Sequence, residues 1–68
     1  MDGAEFVRRA RRHGRKAGVV VLFDPSRGKG SHGMLYLGRR RTAVKQGELK
    51  TGTFRAMLKQ LGIREEDF

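Results

Sequence analysis

The longest unbroken apolar run in this chain, Val19-Val20-Val21-Leu22-Phe23, is five residues. That is far short of the roughly 20 a membrane-spanning helix needs. It is also too short for a stable buried helix. It is rich in β-branched side chains and bounded by Gly18 and Pro25, so it predicts a buried strand over Val19–Phe23. The other apolar residues fall in smaller groups, so any core must be assembled from several short elements. With 68 residues there is room for a single domain, 1–68. Cysteine is absent, so neither disulfides nor cysteine-based zinc sites can staple that domain. No apolar leader opens the chain, and the expectation is a cytoplasmic protein with no membrane association.

The elements follow from local pattern. Residues 2–13 predict a helix. Asp2 caps it, Glu5 stands where a capping box places its acid, and Phe6, Val7 and Ala10 form a narrow apolar stripe with Gly14 as the stop. His13, near that end, suits the negative pole of the helix. Asp24 to Ser31 is composed of turn residues and predicts a loop. Met34–Leu37 and Arg40–Val44 read as a hairpin turning at Gly38-Arg39. In that register Leu35 meets Thr42, Tyr36 meets Arg41 and Leu37 meets Arg40. Leu35, Leu37, Thr42 and Val44 then share one face, and Met34, Tyr36, Arg41 and Lys45 share the other. Gln46–Gly52 is a polar connection. Phe54, Met57, Leu58 and Leu61 follow at helical spacing, capped by Thr51 or Thr53 and ended by Gly62, with Ile63 folded back. Arg64–Phe68 has room for one more turn. The expected fold is α+β, αβββα, a three-stranded antiparallel sheet with both helices on one face.

Charge narrows the partners. The chain carries +9 net, and residues 6–47 hold twelve Lys/Arg against the single acid Asp24. Such a field attracts polyanions, and nucleic acid is the polyanion with a dense row of phosphates. An acidic protein would satisfy the same charge. Within the basic region, Arg27-Gly28-Lys29-Gly30-Ser31-His32 sets a histidine after a glycine-rich cationic loop. Backbone N–H groups of such a loop can turn towards an anion. The spacing is not that of a nucleotide-binding P-loop. An imidazole beside an RNA backbone can take the 2′-hydroxyl proton or protonate the leaving 5′-oxygen, with cations stabilising the phosphorane. Read blandly, His32 only hydrogen-bonds phosphate or backbone, and Tyr36–Arg41 is an ordinary cross-strand pair rather than a base-stacking and phosphate-binding one. No pair of histidines or carboxylates has metal-ligand spacing, so no metal or other cofactor is expected.

Two segments resemble a known family. Gly28-Lys29-Gly30-Ser31-His32 looks like the Gly-Ser-His signature of the HicA family, the toxins of HicA–HicB toxin–antitoxin pairs. Glu48-Leu49-Lys50-Thr51-Gly52-Thr53-Phe54, running on to Leu58-Lys59-Gln60-Leu61-Gly62-Ile63, resembles that family's closing segment. The resemblance covers nearly the whole chain. It implies a double-stranded-RNA-binding-domain-like fold, metal-independent endoribonuclease activity on mRNA, a catalytic His32, and a HicB-type antitoxin as protein partner. Arg27, Lys29, Ser31 and Arg41 are the expected RNA-binding residues. The sequence departs from the family's common pattern in its longer Asp24–Ser31 loop and in Gly33, which stands where relatives often carry a second histidine. The alternative is an RNA-binding module without catalysis.

Overall fold

Strand alternation on β2 and β3 decides which side of the sheet becomes the interior. The computed structural model of the chain describes residues 1–27 and 32–68. Helix α1 (Gly3–Ala17) is followed by strands β1 (Val21–Asp24), β2 (His32–Leu37) and β3 (Arg40–Lys45), helix α2 (Thr51–Leu61) and a 3-10 turn over Glu65–Asp67. The strands pair antiparallel in the order β1-β2-β3, giving the αβββα arrangement read from the sequence. The hairpin register is the expected one, with Leu35 across from Thr42, Tyr36 from Arg41 and Leu37 from Arg40. Gly38, at φ +58°, takes the turn position that a side chain would strain.

Leu35, Leu37, Thr42 and Val44 are buried, and both helices pack on the face they form. Phe6 and Ala10 come from α1, Met57, Leu58 and Leu61 from α2, and Leu49, Ile63 and Phe68 from the flanking segments. Phe6, Phe54 and Phe68 form an aromatic cluster with ring centroids 4.8–6.0 Å apart. Thr42 is the one polar side chain in this interior among the described residues. Its hydroxyl donates to Gln60 Oε1 at 2.5 Å, so the sheet residue is satisfied by α2 rather than by water.

Four local readings need correction. Helix α1 does not stop at Gly14 but runs to Ala17 and is capped by Gly18 at φ +70°. Gly14 is buried inside it, where a Cβ would collide with Val21 and lie 2.7 Å from the Val19 carbonyl oxygen. The glycine there lets β1 approach the helix. His13 is therefore not at the helix end, and its Nδ1 instead lies 3.3 Å from the main-chain oxygen of Asp67. The apolar run is not a buried strand. Only Val21–Phe23 of it belongs to β1, an edge strand, and Val20 and Leu22 are 70% and 62% exposed. Helix α2 is entered at Lys50 with no side-chain cap, Thr51 already being helical. At its other end Gly62 and Ile63 close a Schellman-type turn through the Gly62 N–H to Lys59 and the Ile63 N–H to Leu58.

Candidate nucleic-acid interface

Residues directly opposite in an antiparallel pair point to the same face. The face turned away from the helices therefore carries three cross-strand rows. Leu22, Tyr36 and Arg41 form the first, and Asp24, Met34 and Ala43 the second. His32 and Lys45 make the third. His32, expected just before a strand, is the first residue of β2 and is exposed. Its imidazole belongs to the uncovered face rather than to the interior, and Lys45 stands directly across from it.

The next residue does not share this face. Gly33 points the other way, into the interior. A Cβ there would lie 2.6 Å from Phe23 Cζ and 3.1 Å from Pro25 Cα. A second histidine at that position would face the core and could not join His32 on the open face.

The only acid of the basic region also lies on this face. Asp24 Oδ1 accepts from the Ser26 hydroxyl at 2.6 Å and from the Ser26 N–H at 2.9 Å. These bonds, with the guanidinium of Arg27 adding to them, hold the Asp24 carboxyl below its ordinary range. Arg27 Nε is 3.7 Å from Asp24 Oδ2, with the arginine largely exposed and the aspartate half-buried. Arg27 is thus a cation at the β1 end of the face whose charge is partly matched by Asp24. Lys29 and Ser31 lie outside the described residues. Asp24 is the site residue that pattern reading did not assign. Its signal was being the lone carboxylate amid twelve cations.

The Arg39-Arg40-Arg41 run divides by alternation. Arg41 is on the open face beside Tyr36. Arg40 turns to the helix side, and its guanidinium lies against Gly62, near the C-terminal end of α2 where a cation is favoured. Arg9 of α1 is likewise committed: its Nη2 donates to the main-chain oxygen of Phe68 at 3.0 Å, and its Cζ sits 5.1 Å from the centre of the Phe68 ring. Arg8, Arg11, Arg12, Arg15 and Lys16 remain exposed along α1.

A cleft of about 440 Å³ lies between the start of α1 and the ends of β1 and β3, lined by Ala4, Val7, Phe23, Gly33 and Val44 among others. It belongs to the helix side of the sheet, and neither His32 nor Arg41 lines it. Among the described residues, no three of His, Asp and Glu are grouped to hold a metal ion, and no helix is long and apolar enough to cross a membrane. No known family, curated protein or solved structure matches the chain.

Proposed function

We propose that this chain is an endoribonuclease of the HicA toxin type, acting on mRNA in the cytoplasm without a metal and silenced by an acidic HicB-type antitoxin. The observation that carries the reading is His32, an exposed residue on an uncovered sheet face with Lys45 directly across from it on β3. In the neutral form, the imidazole takes the proton of a ribose 2′-hydroxyl as its oxygen attacks the adjacent phosphorus. The P–O5′ bond breaks, and the leaving 5′-oxygen gains a proton from the imidazolium or from water. The products are a 2′,3′-cyclic phosphate and a 5′-hydroxyl end. Lys45, Arg27 and Arg41 supply positive charge where the phosphorane develops negative charge. The surplus of +9 draws the substrate in, and the same surplus suits an acidic inhibitor.

A second reading, RNA binding without cleavage, is favoured by one fact. The other histidine, His13, is on α1 and set against Asp67, so it cannot supply a second proton carrier to the face.

The test is RNA cleavage by the purified protein in EDTA, compared with His32→Ala. Loss of cleavage with retained RNA binding supports the nuclease. Equal cleavage by both proteins removes His32 from the reaction. Binding without cleavage by the parent chain leaves the second reading.

A further inference from the structure

The open face repeats one unit twice. Tyr36 stands across from Arg41, and His32 stands across from Lys45. Each unit is a ring on the central strand with a cation beside it on β3. The two rings are four positions apart, and so are the two cations, about 13 Å along the strands. Met34 and Ala43 fill the row between on β2 and β3, so the middle of the track is apolar. On the far side, β1 presents Leu22 and the carboxylate of Asp24, which Ser26 and Arg27 keep ionised. Rings therefore run down the centre and positive charge down the β3 margin, while the β1 margin carries the partly matched pair Asp24 and Arg27.

We infer that this face is a single-strand RNA track, with Tyr36 as a base-stacking subsite and Arg41 as its phosphate contact, in line with the linkage presented to His32. This rests on the ribonuclease reading and adds the form of RNA and a specificity-determining residue to it. A base has an exposed π-face only when it is unstacked, and an aromatic side chain on a sheet is a platform for it. A duplex hides those faces and offers only phosphates and 2′-hydroxyls, for which a half-buried tyrosine ring has no use. The phosphates follow the β3 margin, where Arg41 and Lys45 stand in line, whereas on the β1 side the charge of Arg27 is partly matched by Asp24. A second copy of this chain is a poor occupant, since two such cationic faces repel.

The experiment is fluorescence anisotropy with a short labelled 2′-O-methyl RNA, which lacks the attacking hydroxyl and survives whether or not the protein is a nuclease. The probe is used as a single strand and as a duplex. Tyr36→Ala and Tyr36→Thr are expected to weaken single-strand binding on the order of 5- to 150-fold, with Tyr36→Phe retaining it and duplex binding unmoved. Arg41→Gln is expected to lower the salt slope for the single strand by about 0.7. Thermal melts identify which variants are folded, and Tyr36→Thr and Arg41→Gln keep residues compatible with a strand. Single-strand affinity unchanged in folded Tyr36→Ala or Tyr36→Thr overturns the inference. Binding of the duplex at least as tight as the single strand overturns it too. So does failure to bind either probe at low salt, which would give the face to an acidic protein. Continued RNA cleavage by His32→Ala would instead defeat the nuclease reading while leaving a Tyr36 effect on binding intact.

Discussion

The ring of Phe23 lies against Gly33 so closely that a Cβ on the glycine would sit 2.6 Å from Phe23 Cζ. Phe23 thereby ties the edge strand to the residue next to His32. Gly33→Ala must push the ring away or shift β1 from β2. Overpacking of this kind costs about 1–3 kcal/mol. Thermal or urea unfolding should show that loss. The same variant should cut RNA cleavage more than a surface change of equal stability cost, because the start of β2 moves with it.

Gly14 sets propensity against packing. In an open helix, Gly→Ala gains up to about 1 kcal/mol. Here the added methyl collides with Val21 and approaches the Val19 carbonyl oxygen to 2.7 Å. Packing wins, and Gly14→Ala should lower the melting temperature. Gly52, at the open start of α2 with nothing within 4 Å of a built Cβ, is the control. Gly52→Ala should leave stability unchanged or raise it.

Asp24 gives the fold a dependence on acid. Its carboxyl is held low in the folded chain, chiefly by the Ser26 hydroxyl and then by the Ser26 N–H. A depressed carboxyl contributes stability above its unfolded value of about 3.9, and the contribution is lost as pH falls through the folded value. The parent chain should therefore melt above Asp24→Asn near neutral pH, with the gap closing below about pH 4. NMR titration of the Asp24 carboxyl in Ser26→Ala should show its pKa rising towards the ordinary value.

Arg9 separates structural from substrate-facing cations. Its guanidinium is engaged with the ring and main-chain oxygen of Phe68. Arg9→Gln should cost about 1–2 kcal/mol of stability through the lost cation–π contact and hydrogen bond. It should leave the salt dependence of RNA binding where it was. Arg12→Gln, on an exposed part of α1, should cost almost no stability.

The turn and register of the hairpin were legible because alternation and the Gly38-Arg39 turn agree, and a register slip would have buried Tyr36 and Arg41; the strands themselves run further, to His32 and Lys45. Tyr36 and Arg41 are accordingly assigned to a face by the sequence, whereas His32 joins that face only because β2 begins two residues earlier than the pattern predicts. Gly14 was misread because a glycine demanded by a close neighbour looks the same in sequence as one that ends a helix. Val19–Phe23 was misread because five consecutive apolar residues hide which of them face the interior. The true alternation, Val21 and Phe23 inward with Leu22 outward, depends on the helices covering only one face of the sheet. The Asp24–Ser26 turn was legible as a loop. Its role in fixing a charge beside the basic face required the hydrogen bonds themselves.

Both helices crowd onto one side of the sheet, so alternate positions of β2 and β3 answer to different demands. Leu35, Leu37, Thr42 and Val44 are constrained by folding, whereas Met34, Tyr36, Arg41 and Ala43 are not held by the interior. Mutational drift at the latter set can retune what the molecule captures while leaving its thermodynamic footing intact. In a domain this small, that separation is what allows recognition to evolve without passing through unfolded ancestors.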